Sequence, residues 1–251
     1  WVEDAHSLRK IICRSILDSY GEDAHVKAGE LSSVPPSKIK DRDTLCPLPY
    51  FIFGHSMGSF VLRNYILDHS SNLSGAIICG TAFETGFKTI FGLKILDILC
   101  KTKGEKYFSP LIYDMTGGDH LECFPEENSE HAWLCRDRSD KTKFDYERFF
   151  GPKFTVAANH AMVSLLKRCC DKGNIAMIRP DLPILMIAGD NDPVGKMGKG
   201  FKRAVALYRE GGLKNVEDKL YPGLRHEILN EPKAKAEIMQ DILDFLEANN
   251  G

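Results

Sequence analysis

Apolar residues follow two patterns along the chain: helix-like stretches, where they recur every three or four positions, and short runs where they are continuous. Over residues 1–20 the helical spacing predicts an amphipathic helix. Its predicted buried face comprises Val2, Ala5, Leu8, Ile12, Ile16 and Tyr20. The same spacing predicts a helix from Ser59 to Leu67 and a closing helix from Ala234 to Ala248.

Three continuous apolar runs predict β-strands at residues 50–53, 76–79 and 184–188, and a glycine follows each of them. A fourth strand is predicted at 216–221. Strands that are apolar throughout are typical of a parallel sheet covered by helices on both faces. The predicted fold class is therefore α/β, with a mostly parallel sheet flanked by helices.

The long segment between the second and third predicted strands differs from the rest of the chain in its pattern of apolar and aromatic residues. It contains an apolar helical stretch at 87–99 and aromatic-rich stretches at 107–113 and 144–154. We interpret it as a helical cap, inserted at about residues 84–178 into a single domain that spans 1–251. The polar stretch 21–49, with four prolines, is interpreted as a solvated excursion without an assigned function.

Composition narrows the range of partners. The chain has 33 basic and 35 acidic side chains and a net charge of −2, and no basic stripe with interleaved aromatics, so nucleic acid is not expected as a partner. No apolar run reaches the roughly 20 residues that span a bilayer, so no integral membrane segment is expected. A weak contact with a lipid surface is left open. Eight cysteines without a CxxC pair indicate a reducing, cytoplasmic environment. No ligand spacing for a metal is present, and no metal or cofactor is expected.

Gly54-His55-Ser56-Met57-Gly58 is a G-x-S-x-G pentapeptide between a predicted strand and a predicted helix, the context that a nucleophile elbow requires. Such a turn presents the serine hydroxyl at the edge of the sheet, and both glycines are expected to avoid a collision of a Cβ with the neighbouring strand and helix. The Met57 N–H is the expected oxyanion-hole donor. The alternative interpretation is a glycine-rich turn without a catalytic role.

A serine nucleophile needs a histidine base, and the base needs an acid that orients it. His226 is the candidate base, because it lies in a turn-like stretch just beyond the last predicted strand. The other histidines are interpreted as structural or solvated: His6, His25, His55, His69, His120, His131 and His160.

Two carboxylates, Asp190 and Asp192, follow the third predicted strand and therefore lie at the same edge of the sheet. Asp192 is the preferred acid, because it lies farther into the loop and Pro193 fixes the chain just after it. Asp190 is expected to stabilise the turn through its own backbone. The resulting order of serine, aspartate and histidine differs from the orders in chymotrypsin and subtilisin.

Three motifs carry a family resemblance: Gly-His-Ser-Met-Gly-Ser at 54–59, Gly-Asp-Asn-Asp-Pro-Val-Gly at 189–195 and Arg-His-Glu-Ile-Leu-Asn-Glu at 225–231. Together they resemble the monoacylglycerol lipase and lysophospholipase-like branch of the α/β-hydrolases, also grouped under a serine aminopeptidase label. Trp133-Leu134-Cys135-Arg136-Asp137 resembles a segment frequent in bacterial members. The resemblance implies an α/β-hydrolase fold and hydrolysis of a carboxylic ester, of monoacylglycerol or lysophospholipid type, with Ser56 as nucleophile, Asp192 as acid and His226 as base.

The chain departs from the family pattern upstream of Ser56. Family members carry a His-Gly loop that supplies a second oxyanion donor, and no His-Gly dipeptide precedes Ser56. The resemblance therefore implies an N-terminally truncated chain that lacks the first strands of the sheet. Because loss of one donor costs roughly 10²–10³ in rate, activity is expected of the full-length protein rather than of this chain.

Two alternative functions remain open from the sequence. One is a peptidase that acts on N-terminal residues, for which acidic cap residues would bind the free amine: Asp119, Glu122, Glu126, Glu127 and Glu130. The other is a non-catalytic binding protein that keeps the hydrolase fold. The apolar helix at 87–99 is expected either to line an acyl-chain pocket or simply to pack on the core.

Overall fold

The structure, a computed structural model, describes residues 1–20, 46, 48–115, 120, 123–127, 132–136 and 153–250. Within these residues the strands are β1 (Phe51–His55), β2 (Gly75–Cys79), β3 (Ile184–Gly189) and β4 (Val216–Tyr221). They form a sheet in the order β1-β2-β3-β4, and all three neighbouring pairs are parallel. The predicted strands and their parallel arrangement are confirmed. β1 continues through Gly54 and His55, which stay in register with Ile78 and Cys79.

Helices connect and cover the strands. They are α1 (Val2–Tyr20), α2 (Met57–His69), α3 (Phe87–Lys103), α4 (Pro110–Tyr113), α5 (Val156–Cys169), α6 (Lys172–Ile175), α7 (Lys199–Glu210) and α8 (Pro232–Ala248). Short 3₁₀ helices span Pro125–Glu127 and Ile228–Asn230. Parallel neighbours need such crossovers, which α2 supplies between β1 and β2 and α7 between β3 and β4.

Apolar cores cover both faces of the sheet, because successive strand residues point to opposite sides. On one face, Ile78 and Met186 pack in a cluster with residues of α2 and α7. On the other face, Ile77 and Ile187 pack in a cluster that includes Phe245 of α8. Burial on both sides explains why these strands read as continuous apolar runs.

The predicted first helix is present, but its buried face differs from the prediction. Leu8 is 56% exposed, whereas His6 and Arg9 are buried. Arg9 donates hydrogen bonds to the Tyr65 hydroxyl at 3.2 Å and to the Asn72 carbonyl oxygen at 2.6 Å, and His6 Nδ1 lies 3.2 Å from the same hydroxyl. The prediction is correct in part, because Val2 and Ala5 pack against the core. The fully buried side is rotated from the predicted face, since the hydrogen-bonded His6 and Arg9 are buried there together with Cys13 and Leu17.

Between β2 and β3, α3 packs against α5, and Leu96 clusters with Ile112 and Val156. The helix predicted at 87–99 is confirmed and runs on to Lys103. Four of its apolar side chains are exposed in the structure: Phe87, Ile90, Phe91 and Ile98. The interpretation of residues 84–178 as a cap stays a prediction, and we keep that name for them. Most of the excursion at 21–49 and of the stretch at 144–154 lies outside the described residues.

Candidate active site

Ser56 occupies a strained turn between β1 and α2. Its φ of 54° and ψ of −124° lie in a region that non-glycine residues seldom adopt, a kind of strain that clusters at functional sites. The Ser56 N–H donates to the Cys79 carbonyl oxygen at 3.1 Å, which fixes the turn to β2. Met57 begins α2, and the first N–H groups of a helix have no acceptor within it. The Met57 N–H is thus available as an oxyanion donor.

The two glycines of the pentapeptide differ in what they do. A Cβ on Gly54 would lie 2.5 Å from the Gly58 carbonyl oxygen and 2.9 Å from Leu62 Cβ, so only glycine fits there. A Cβ on Gly58 would meet nothing within 4 Å. The collision expected of a Cβ is therefore confirmed at Gly54, but the same expectation is wrong at Gly58. The elbow requires the Gly58 backbone to approach residue 54 closely, and this needs no free space around the Gly58 Cα itself.

Asp192 and His226 form a buried pair. His226 Nδ1 lies 3.0 Å from Asp192 Oδ2, and the two side chains are 2% and 0% exposed. A carboxylate accepts hydrogen bonds, so Nδ1 carries the proton and Nε2 is left as the basic nitrogen. Asp192 Oδ1 accepts the Val194 N–H at 2.9 Å, which fixes the carboxylate. Asp190 instead accepts the Gly223 N–H at 2.6 Å and ties the two loops together.

The His226 Nε2 atom is buried and has no hydrogen-bond partner among the described residues. The Ser56 hydroxyl is therefore not hydrogen-bonded to it in this structure. Catalytic hydrogen bonds are often long or poorly aligned before substrate binds. A buried basic nitrogen without a partner is poised to receive a proton.

His55 joins the elbow to the loop that carries His226. Its Nε2 lies 3.1 Å from the His226 carbonyl oxygen, and because a carbonyl can only accept, Nε2 is the donor. The two imidazole centroids are 4.7 Å apart. Burial first, and then the neighbouring His226, lower the pKa of His55 below its ordinary value, so the His55 ring is neutral near pH 7. The contact fits the expectation that His55 is structural.

Gly80, at the end of β2, leaves the space in which these rings meet. It has a φ of +57°, and a Cβ there would lie 3.2 Å from His226 Cε1 and 3.2 Å from His55 Cδ2. The sequence pattern indicates Gly80 only as the end of a strand. The signal that could have identified Gly80 as part of the site is its position directly after a buried central strand, on the same edge of the sheet as the nucleophile.

A buried polar network supports the elbow from the side of α2. Ser59 Oγ donates to the Ser56 carbonyl oxygen at 2.5 Å and lies 2.9 Å from Thr81 Oγ1. Arg63 Nη1 donates to Thr81 Oγ1 at 3.1 Å and to the Ala82 carbonyl oxygen at 2.7 Å. The sequence pattern does not predict this network, since a fully buried arginine on a helix leaves no periodic signal.

A parallel sheet with a strained serine after one strand and an aspartate–histidine pair after two others defines an α/β-hydrolase. The family model described as "Serine aminopeptidase, S33" matches residues 37–233, which include all three of these side chains. The chain belongs to this serine aminopeptidase S33 family. The family match confirms the resemblance seen in the three sequence motifs.

Solved structures share this architecture. A highly thermostable carboxyl esterase from Bacillus coagulans, in complex with glycerol, is 25% identical with a TM-score of 0.78, covering 100% of this chain and 71% of the esterase. A lipase in an open form is 24% identical with a TM-score of 0.69, over 86% of this chain and 68% of the lipase. A soluble variant of monoglyceride lipase from Saccharomyces cerevisiae, in complex with a substrate analog, is 20% identical with a TM-score of 0.55, over 81% and 63%.

The family match and the carboxyl esterase that is 25% identical support a hydrolase and, in general terms, the hydrolysis of esters. No curated protein matches the chain. Among the helices of the described residues, none has the length and apolar character needed to cross a bilayer.

Proposed function

We propose that the protein is a serine hydrolase that cleaves carboxylic esters through an acyl-enzyme, with Ser56 as nucleophile, His226 as base and Asp192 as acid. The observation that carries the proposal is the buried Asp192–His226 pair, whose Nε2 has no partner among the described residues, at the edge of the sheet that also holds a serine in a strained elbow. Each role follows from the chemistry of a side chain in its position.

In the first half-reaction, His226 Nε2 takes the Ser56 proton as Oγ attacks the ester carbonyl carbon, and the Met57 N–H donates to the oxyanion. Asp192 stabilises the imidazolium. The intermediate collapses, the C–O bond to the leaving alcohol breaks, and His226 returns the proton to that oxygen. In the second half-reaction His226 takes a proton from water, the hydroxide attacks the acyl carbon, and Ser56 Oγ regains the proton as the acid leaves.

For the substrate we propose a small ester or lipid of the monoacylglycerol or lysophospholipid type. The exposed apolar side chains of α3, including Phe87 and Phe91, would line an acyl-chain pocket. The glycerol complex of the similar esterase and the substrate-analog complex of the yeast monoglyceride lipase support this class. No disulfide joins the eight cysteines, all of which lie among the described residues, and this supports a reducing, cytoplasmic setting.

The peptidase alternative is disfavoured by the contacts of one acidic cap residue. Glu127 already forms an ion pair with Arg225, so this carboxylate is not free to bind a substrate amine. Asp119, Glu122 and Glu130 lie outside the described residues.

The proposal is tested with a short-chain nitrophenyl ester and a nitroanilide of an amino acid, given to the full-length protein and to its Ser56→Ala variant. Ester hydrolysis that disappears in Ser56→Ala is the expected result. Ser19→Ala is the matched control, because Ser19 is exposed on α1 and bonds only within its own helix. Hydrolysis of the anilide alone would favour the peptidase, and no hydrolysis of either by a folded protein would favour a binding protein.

A further inference from the structure

The Trp133 motif and the histidine motif, far apart in sequence, are bonded to each other. We call residues 132–136 the Trp133 segment and residues 222–231 the histidine loop. The His226 N–H donates to the Trp133 carbonyl oxygen at 3.3 Å, and the Glu227 N–H donates to the Leu134 carbonyl oxygen at 2.7 Å. A strip of the cap thus binds the backbone on which the proposed catalytic base sits.

Arg225 fastens the first end of this contact. Its Nη1 donates to the Ala132 carbonyl oxygen at 2.5 Å, and its Nη2 binds the Glu127 carboxylate. The guanidinium also lies 3.8 Å from the centroid of the Phe124 ring. The Arg225 side chain is only 7% exposed, so these cap groups replace the water that Nη1 and Nη2 would otherwise bind, while Nε has no hydrogen-bond partner among the described residues.

Glu231 fastens the other end. Its carboxylate, 4% exposed, accepts the Arg136 N–H at 2.8 Å and lies 3.6 Å from Arg136 Nε. Between the two ends, the Trp133 ring lies against the His226 ring, with centroids 5.1 Å apart. The imidazole is therefore enclosed by the cap on one side and by His55 on another.

We propose that Arg225 is a positioning residue: by binding Ala132 and Glu127 it docks the Trp133 segment onto the histidine loop and so holds His226 in its working position. The inference rests on the proposed role of His226 as base. Arg225 directly precedes His226 in the chain, so His226 reaches its working position only when the cap is docked on Arg225. Displacement of a catalytic group by about 1 Å can cost ~10²-fold in rate.

The test compares Arg225→Met, which keeps the length of the side chain without its charge, with Arg225→Lys, which keeps a donor for Glu127. We expect Arg225→Met to lower kcat by roughly 10–100-fold with a smaller change in KM, and Arg225→Lys to recover part of the loss. Arg179→Met is the matched control. Arg179 likewise donates to a carbonyl oxygen, that of Leu73 at 2.9 Å, and pairs with Asp181, but away from His226. The kcat of Arg179→Met is expected to equal that of the wild type.

A second measurement does not depend on catalysis. Trp1 and Trp133 are the two tryptophans of the chain, so a Trp1→Phe background isolates the fluorescence of Trp133. In that background Arg225→Met is expected to increase quenching by acrylamide, because the Trp133 segment leaves the histidine loop, and Arg179→Met is not. Should Arg225→Met fail to fold, Glu127→Gln, which weakens the same contact from its partly exposed partner, is expected to increase quenching and to lower kcat.

The possible outcomes separate the two proposals. If hydrolysis survives Ser56→Ala, the proposed function is wrong whatever Arg225 does. If hydrolysis depends on Ser56 while Arg225→Met changes neither kcat nor quenching, only the positioning role is overturned. Equal losses in Arg225→Met and Arg179→Met would also overturn it, since they would show a general effect on folding.

Discussion

His55 and His226 meet across the end of β2: His55 Nε2 donates to the His226 carbonyl oxygen at 3.1 Å, and their ring centroids are 4.7 Å apart. His55 immediately precedes Ser56 in the chain. This contact therefore links the turn that holds the proposed nucleophile to the loop that holds the proposed base.

Gly80→Ala tests the space in which the two rings meet. The new Cβ would lie 3.2 Å from both rings, and the alanine would have to keep the backbone φ of +57°. We therefore expect the free energy of unfolding to fall by about 1–3 kcal/mol and kcat to fall markedly. Gly212→Ala separates strain from collision, because Gly212 has a φ of +95° with nothing within 4 Å. This control is expected to lose stability but not kcat. Similar kcat losses in both variants would contradict the steric explanation.

Gly54→Ala and Gly58→Ala are expected to differ in stability. The Gly54 Cβ would lie 2.5 Å from a backbone oxygen, so overpacking is expected to cost about 1–3 kcal/mol or more. Gly58 lies in the first turn of α2 with open space around it, and alanine is the better helix former. Gly58→Ala is thus expected to unfold at the same urea concentration as the wild type or higher. Destabilisation of both variants to the same extent would refute the distinction.

Asp192→Asn is expected to lower kcat by about 10⁴-fold, by analogy with the same change in other serine–histidine–aspartate sites, because an amide can favour the wrong tautomer of His226. Asp190→Asn is the matched control. Its side-chain oxygen can still accept the Gly223 N–H, so the loop contact and kcat are expected to survive. A larger fall in kcat in Asp190→Asn than in Asp192→Asn would show that Asp192 is not the acid.

His55 is also expected to make stability depend on pH. Because burial lowers its pKa in the folded protein, the unfolded chain, with a histidine pKa of about 6.5, takes up the proton first as the pH falls. The contribution of His55 to the free energy of unfolding is therefore complete above about pH 6.5 and is lost as the pH falls from there toward the lower pKa of the folded state. His226, Glu227 and Asp192 are the neighbouring groups that influence this titration.

His55→Gln removes this titration and keeps a donor for the His226 carbonyl. We expect the drop in the urea midpoint between pH 7.5 and pH 5.5 to be smaller in His55→Gln than in the wild type. An equal or larger drop in the variant would show that His55 does not carry this dependence.

The two central strands were predictable because both of their faces are buried, which leaves clear apolar runs at Ala76–Cys79 and Ile184–Ala188. The loop that carries Asp192 follows the second of these runs, and the strand–serine–helix context follows from the shorter apolar run at 50–53. Burial of His6 and Arg9 in α1 was not predictable, since their hydrogen bonds to Tyr65 depend on a residue more than fifty positions away.

Within the site, local sequence could nominate side chains but not the contacts that orient them. The pairing of Arg225 with Ala132 and Glu127 joins segments about ninety residues apart, and neither segment has a periodic signal. The distinct roles of Gly54 and Gly58 likewise depend on how closely β1 approaches α2, a distance that the pentapeptide alone does not specify.

The most direct test of the central claim is to react the full-length protein with a fluorophosphonate probe and to locate the label by mass spectrometry of its peptides. An activated serine is needed for rapid reaction. We expect a single label on Ser56, absent in Ser56→Ala and strongly slowed in His226→Asn, with Ser19→Ala labelled as fast as the wild type. Labelling of another residue, or equal labelling of Ser56 when His226 is replaced, would contradict a serine hydrolase in which His226 activates Ser56.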